Sequence, residues 1–457
     1  MYTSLHAHSD YSNLRLIDSI NTVKTLIDRS YELGLKGIAI TDHETVSGHV
    51  KALNYYNANY KGKENEFKLI LGNEIYIARS DLTSENHEKG EKFYHFLLLA
   101  KDKIGHKQLR ELSSRAWQRS YFKNMMRVPV FLKDLEEVIG AAPGHIVATT
   151  ACIGGFPGTM FLEGKHEKIE PFLRKMTAIF GRTNFFLELQ PSNQQDQIDF
   201  NKHMIINFWD DYNFIFTTDA HYGSKEDQEV HRWFLQSKSG EREVDTFYSA
   251  AYLMDYEEVK SYFGTYISES KIEAMKDNTN KINEMIEMYD LDHGQIVPKV
   301  KYEDRFNNEH LNITRKYFYN NLIEKYKYLK HFLETDNETD RYLMNLILEG
   351  YYEKIIEIDD SSISTAERME RLDYELEQIY ETSQNIHQSL ADYFITMAKM
   401  IEIIWDEGDS MVGPGRGSAA GFLINYLIGI TQIDPQNQEL YLPPWRFIHK
   451  DRPGLPD

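Results

Sequence analysis

Over the first 220 residues or so, short apolar runs alternate with stretches whose apolar positions recur at helical spacing. The runs are Tyr2–His8, Lys36–Asp42, Lys68–Ile77, Phe93–Ala100, His145–Ala151, Asn184–Leu189 and Phe214–Asp219. Between the first two, Ile20, Val23, Leu26 and Ile27 share one face of a helix over Ser19–Leu33, and Gly34 is placed to stop it. Strands that alternate with helices predict a parallel β/α arrangement, and seven of them predict closure into a barrel rather than an open sheet. After about residue 285 the pattern changes. Residues 305–405 are rich in Glu, Lys, Tyr, Leu and Ile, poor in Gly and Pro, and read as mostly helical, with loops at Thr335–Asp340 and Glu357–Ser364. A glycine-rich stretch, Gly413–Gly421, then leads into an apolar helix over Phe422–Ile430 and a proline-rich tail, Pro443–Asp457.

Composition narrows the class. Of 457 residues, 41% are hydrophobic and 27% charged, the balance of a globular protein. No apolar run approaches the ~18 residues of a membrane span, and the start, MYTSLHAHSD, lacks the features of a signal peptide. The single cysteine, Cys152, excludes an internal disulfide and fits a reducing, cytoplasmic setting. Lys and Arg number 51 against 71 Asp and Glu, a net charge of −20, which argues against a broad electrostatic grip on nucleic acid. Most of that charge reads as a solvated acidic surface, so contact with DNA falls to local basic patches or to metal ions that offset the acidity.

Metal-ligating side chains stand at the ends of these runs. His6 and His8 are two apart, so on a strand they face one side, and Asp219 and His221 repeat the spacing. His43 follows Gly37–Ile40, Glu74 ends Leu69–Asn73 and Cys152 follows His145–Ala148. The carboxyl ends of strands in a β/α barrel converge on one mouth, and Asp18, in the loop after the first strand, can reach it. His95 precedes its run, Phe96–Leu99, which points it to the opposite end of the strand. One such histidine is commonly structural; this many ligands at equivalent points of successive strands predict a polynuclear metal site. Mixed imidazole, carboxylate and thiolate ligands favour zinc, manganese or iron over magnesium alone.

The segments His6-Ala7-His8-Ser9-Asp10, Ile40-Thr41-Asp42-His43, Gly72-Asn73-Glu74, His95-Phe96-Leu97, Ala151-Cys152-Ile153-Gly154-Gly155, Phe186-Leu187-Glu188-Leu189-Gln190 and Thr218-Asp219-Ala220-His221 resemble the polymerase-and-histidinol-phosphatase (PHP) domain, in the version carried by DNA polymerase α subunits. That resemblance implies a distorted (β/α)7 barrel binding two or three divalent metal ions. The nine ligands it implies are His6, His8, Asp18, His43, Glu74, His95, Cys152, Asp219 and His221, all filled here, and it counts His95 among them despite its position. Glu74 is expected to bridge metals, with His8 and Asp219 as further catalytic residues, in phosphoester hydrolysis that serves as a 3′–5′ proofreading exonuclease.

Met411–Gly421 is glycine-rich and opens a helix, so its backbone N–H groups suit a phosphate. Together with Ala391-Asp392-Tyr393-Phe394 and Ile430–Pro435 it resembles the start of the palm of bacterial replicative (C-family) DNA polymerases, the DNA polymerase III alpha type. In that family Gly417-Ser418 contacts the incoming triphosphate, with Arg416 beside it, and Arg452 falls where a basic residue lies near the same phosphates. The family pattern continues into an Asp-x-Asp pair that binds two magnesium ions, and Asp457 stands at or just before it.

The expected organisation is therefore a PHP phosphoesterase domain over 1–285 and a mostly helical, amino-terminal part of the palm over 286–457, either a split product or a piece of a longer polymerase. The divergent middle suits a phage or mobile-element replicase. Expected partners are DNA primer–template and deoxynucleoside triphosphates, with a downstream polymerase polypeptide and a sliding clamp as further candidates and no membrane. Two rivals share the metal site. A free-standing PHP phosphatase on a small phosphomonoester leaves Gly413–Asp457 without a purpose, and a metal-stabilised, non-catalytic scaffold predicts bound metal without nuclease activity.

Overall fold

A computed structural model describes residues 1–14, 17–63, 67–78, 92–122, 128–237, 247–293, 296–303, 305–321, 323–360, 362–437, 439 and 441–452. The chain forms two compact units, Met1–Asp292 and His293–Asp457. No helix among the described residues is long and apolar enough to cross a membrane.

The first unit is built on a curled sheet of β1 (Thr3–Ser4), β2 (Gly37–Ile40), β3 (Lys68–Ala78), β4 (Tyr94–Ala100), β5 (Pro129–Phe131), β6 (Ile146–Thr149), β7 (Phe185–Leu189) and β8 (Asn213–Phe216). The order is β1-β2-β3-β4-β6-β7-β8. Sequences such as Gly-Ile-Ala-Ile in β2 and Phe-Phe-Leu-Glu-Leu in β7 are buried throughout, as strands covered on both faces must be. Helices including α1 (Val23–Glu32) and α2 (His49–Asn59) alternate with them. Past the ends of β1 and β8, a single parallel bridge between Ala7 and Ala220 joins the two edges, with the His8 amide donating to Ala220 O at 2.9 Å. The result is a distorted β/α barrel.

Two features depart from an all-parallel barrel. β4 runs antiparallel to both β3 and β6. β5 pairs in parallel with the far end of β3, and its three residues, Pro-Val-Phe, are too short to carry a sequence pattern.

The barrel interior is filled rather than hollow. Leu5, Ala39, Ile70, Leu97, Leu99, Val147, Phe186 and Ile215 form one buried cluster with Ile282 and Ile286. The helix Glu269–Met285 (α3) closes the amino ends of the strands through polar side chains: Thr279 accepts from the Thr3 amide, Asn283 donates to Lys36 O, and Asn278 donates to Phe214 O. With that end plugged, the other end is left to chemistry.

The second unit is helical, with no strand among its described residues. Its main helices are α4 (Asn308–Asn320), α5 (Lys327–Glu334), α6 (Glu338–Tyr351), α7 (Thr365–Ile386) and α8 (Ala391–Asp406). The loop expected at Thr335–Asp340 is shorter, because Asn337 caps α6 by accepting from the Asp340 amide and Glu338 is already helical. The helix expected over Phe422–Ile430 is a short one, α9 (Leu423–Leu427), preceded by a 3-10 turn over Gly417–Gly421; Gly429, at φ 84°, turns the chain out of it.

Candidate metal centre at the barrel mouth

All nine sequence-predicted ligands lie within described segments, and their side chains converge. Glu74 is the hub: Oε2 lies 2.9 Å from His43 Nδ1, 3.1 Å from His8 Nε2 and 3.2 Å from His6 Nε2, and Oε1 lies 2.8 Å from His95 Nδ1. Asp219 Oδ1 stands 3.0 Å from His8 Nε2 and 3.3 Å from His6 Nε2. Asp18 Oδ2 stands 3.0 Å from His43 Nε2 and 2.9 Å from His221 Nε2. These contacts compose three overlapping groups: His8, Asp18, His43 and His221; His6, His8, Glu74 and Asp219; and His43, Glu74 and His95. Cys152 joins through His95, its Sγ 3.5 Å from His95 Nδ1.

The reversed strand explains His95. Because β4 runs antiparallel, its amino end lies where its parallel neighbours have their carboxyl ends, and His95 sits opposite Tyr76, two residues past Glu74. The expectation that it faces the other end of the barrel assumed a parallel strand and is corrected here. The loop below it is tight: a Cβ on Gly155 would lie 2.3 Å from Thr150 O, so only glycine lets Cys152-Ile153-Gly154 fold under the His95 ring. Asp219 takes a left-handed φ of 46°, a conformation found at strained functional turns, as the chain turns from β8 into the mouth.

Surrounding groups orient the imidazoles. His8 Nδ1 donates to Ser12 Oγ, which itself donates to Asp42; His221 Nδ1 donates to Asp219 O; His6 Nδ1 donates to Glu188 Oε1 at 2.7 Å. Each bond fixes the ring and the tautomer and turns Nε2 to the centre, as the outer partners of metal-binding histidines do. Glu188 was not singled out as a site residue from sequence. Its signal was a carboxylate inside the apolar run Phe185–Leu189, buried in the structure and accepting from the hydroxyls of Thr149 and Thr217. Asp42 is likewise a support: burial pushes its carboxyl up, and the Ser9 and Ser12 hydroxyls bond to it.

The arrangement fits cations. His6 Nε2, His8 Nε2, His43 Nδ1, Glu74 Oε2 and Asp219 Oδ1 are buried and make no hydrogen bond, although they stand 2.9–3.3 Å from one another. With Nδ1–H of His6 and His8 committed outward, each Nε2 faces carboxylate oxygens, and unless a proton or a cation lies between them lone pair meets lone pair. The electrostatics say the same. Burial opposes charge on His6, and Asp219, Glu188 and Glu74 outweigh it and hold the imidazole well above its ordinary range. Burial opposes ionisation of Glu74, and His43, His95 and His6 outweigh it and hold the carboxyl well below its ordinary range. The pocket is electrically balanced only by protons or metals.

The nucleotide candidates of the second unit are placed differently. Arg416, Gly417 and Ser418 are exposed at the start of the 3-10 turn, and Arg452 is exposed, its side chain touching Arg446 O at 3.4 Å. No hydrogen bond or ion pair joins Arg452 to Arg416–Ser418 among the described residues. Behind the turn lies a buried ionic frame. Arg371 donates to Gly421 O at 2.5 Å, to Leu442 O at 2.7 Å and to Glu375 at 2.7 Å, and Glu375 accepts from the Leu423 and Ile424 amides. Burial raises the Glu375 carboxyl to about 6 against these stabilising bonds. Pro453–Asp457 lies outside the described residues.

With the geometry in view, comparison with known proteins gives the class. The family described as "PHP domain" matches residues 4–192, within the first unit. The family described as "Bacterial DNA polymerase III alpha NTPase domain" matches residues 341–457. The chain is 41% identical to "Probable DNA polymerase YorL" of Bacillus subtilis (strain 168) and to "DNA-directed DNA polymerase" of Bacillus phage SPbeta, over 99% of its own length and 36% of theirs. It is 28% identical to "DNA polymerase III subunit alpha" of Aquifex aeolicus, over 100% of its length and 36% of the relative. Over its whole length the chain is similar to proteins of the bacterial DNA polymerase III alpha type. It spans about a third of the length of these relatives, 36% in each case. Among solved structures, a putative metal-dependent phosphoesterase from Bifidobacterium adolescentis aligns with 59% of the chain, and the chain with 97% of it, at 14% identity and a TM-score of 0.31, too distant to bear on the site.

Proposed function

We propose that the barrel mouth is a metal-dependent phosphodiesterase acting as a 3′–5′ proofreading exonuclease on DNA. We propose further that the chain contributes the PHP domain, 1–285, and the first part of the palm, 286–457, to a replicative DNA polymerase. The observation that carries the first reading is the set of buried imidazole and carboxylate atoms that face one another at the mouth without hydrogen bonds. The nine residues His6, His8, Asp18, His43, Glu74, His95, Cys152, Asp219 and His221 would hold two or three ions of zinc, manganese or iron. Bound there, such ions neutralise phosphate oxygens and make water acidic enough to serve as a nucleophile near neutral pH.

The protein's own contribution is position. Glu74 reaches four imidazoles with its two oxygens and belongs to two of the three groups, as His8 and His43 also do. His8 stands between Glu74 and Asp219, and the Gln190 amide holds the second oxygen of Asp219 at 3.2 Å, leaving Oδ1 to the centre. A DNA substrate is favoured over a small phosphomonoester because the same chain carries the second unit and its polymerase-family match. In the complete enzyme Arg416, Gly417, Ser418 and Arg452 would contact the incoming triphosphate, with magnesium held by carboxylates beyond this set. The partners would be primer–template DNA, deoxynucleoside triphosphates, a downstream polymerase polypeptide and a sliding clamp.

The test uses the purified chain with end-labelled single-stranded DNA, paired DNA and p-nitrophenyl phosphate, with each metal in turn. Single strands are expected to be shortened fastest from the 3′ end, because the terminal phosphodiester must be splayed into the mouth. A chain that hydrolyses only the small ester would be a phosphatase, and one that binds metal yet cuts neither would be a scaffold; either result overturns the reading.

A further inference from the structure

A cavity of about 410 Å³ borders the metal centre and reaches Asp219. Its volume lies within the range of small-molecule sites. Its wall includes Gln190, Gln194, Gln197, Thr218, Ile153 and Leu162. We infer that this cavity seats a single nucleoside, base and sugar, whose phosphate lies at the metal centre; the inference rests on the hydrolytic reading above and assigns its substrate side.

Three observations carry it. The first is charge. Among the described residues, Asp196 and Asp219 line the cavity and no Lys or Arg does, so this wall repels a phosphate and suits the uncharged part of a ligand. The second is unused hydrogen-bonding capacity. Gln190 donates its amide to Asp219 at 3.2 Å and Gln197 donates its amide to Asn201 at 2.9 Å, and the side-chain carbonyl of each remains open to a ligand N–H or hydroxyl. The third is Thr218. It is 3% exposed, and its hydroxyl makes no hydrogen bond. A buried polar group left without a partner is destabilising, so a ligand that supplies the partner is favoured. Ile153 and the exposed Leu162 add an apolar side for the face of a base. Acceptors, one spare hydroxyl and an apolar wall, without cations, match a nucleoside better than a bare sugar phosphate.

The intact, metal-replete chain is titrated calorimetrically with thymidine 5′-monophosphate, deoxyribose 5-phosphate and inorganic phosphate. The nucleotide is expected to bind at least tenfold more tightly than either control, about the effect of one well-made hydrogen bond and some apolar contact. Thr218→Val, which keeps the shape and removes the hydroxyl, is expected to weaken nucleotide binding about tenfold and leave inorganic phosphate unchanged. Leu162→Trp, which narrows the cavity from its exposed rim, is expected to do the same with metal content unchanged, and guards against a Thr218 variant that fails to fold. Equal affinity for all three ligands, or parental nucleotide binding in both variants, overturns the inference. Because these are binding measurements, they separate the two readings: nucleotide preference without DNA hydrolysis leaves the cavity assignment standing and removes the hydrolytic one.

Discussion

The two places where this chain concentrates chemistry are built on opposite plans. At the barrel mouth the functional atoms are buried, oriented by partners around them and gathered from strand ends all around the sheet. In the helical unit the frame is buried and the candidate nucleotide-binding atoms are exposed: Arg371 and Glu375 pin the backbone at the end of the turn and just after it, while Arg416, Gly417 and Ser418 stand in solvent. A centre that must hold cations has to be assembled before they bind, since unpaired carboxylates in a dry pocket are costly. A segment that meets a large, soluble polyanion needs only a fixed backbone and open N–H groups. On the proposed reading, the first plan suits an activity that one domain can hold by itself, and the second suits one part of a shared site.

The largest expected contrast follows directly. With primer–template, magnesium and nucleotides, the isolated chain is expected to give no template-directed extension. Among the described residues of the second unit, the one close group of metal-ligating side chains is His310, Glu349 and Glu353, away in sequence from the glycine-rich turn. A gel assay showing extension, unchanged by Glu74→Ala, would erase the contrast between a complete and a partial site.

Next in size, His8→Ala or His6→Ala is expected to lower DNA hydrolysis about a thousandfold, the several kcal/mol that positioned metals supply. The Arg416→Ala variant is expected to leave it unchanged. Initial rates on single-stranded oligonucleotides, with circular dichroism to check the fold, decide it. An intermediate effect is expected for Glu188→Gln, which removes the carboxylate that fixes His6: metal affinity should fall about 10–100-fold while the helical unit keeps its stability. Competition with a chromophoric chelator measures this, and an unchanged affinity would reduce Glu188 to a packing residue.

The smallest effect belongs to the frame behind the turn. Burial holds the Glu375 carboxyl near 6, above its ordinary value of 4.5. The folded state therefore binds this proton more tightly than the unfolded state, so the group's contribution is fully present below about 4.5 and is lost as pH rises through about 6. The span amounts to roughly 2 kcal/mol. Glu375→Gln is expected to flatten the parent's loss of stability over that window, read from urea midpoints at several pH values; identical slopes would place the titration elsewhere.

Much of the mouth was legible because its ligands sit at equivalent points of a repeating pattern. His6 and His8 at the end of one apolar run and Asp219 and His221 at the end of another need only strand periodicity and barrel geometry to meet. His95 was not legible from pattern alone, since periodicity carries no strand direction; the resemblance counted it as a ligand, and the antiparallel pairing of β4 supplies the reason. β5 escaped notice because a three-residue strand has no alternation to read. Glu188 was hidden by its type: an acid within an apolar run announces burial but not its partner, and the His6 bond spans 182 residues of sequence. In the helical unit the glycine-rich segment stood out, whereas Arg371 and Glu375 look like any surface pair four apart on a helix until the turn packs onto them.

The most direct test of a self-sufficient metal centre at the barrel mouth is the rate at which the metal-replete chain and its Glu74→Ala variant release nucleotides from the 3′ end of one single-stranded oligonucleotide. The account predicts rapid release by the parent and none above background by the variant, with both proteins equally folded. Equal release by the two, or no release by a parent carrying its full complement of metal, would contradict it.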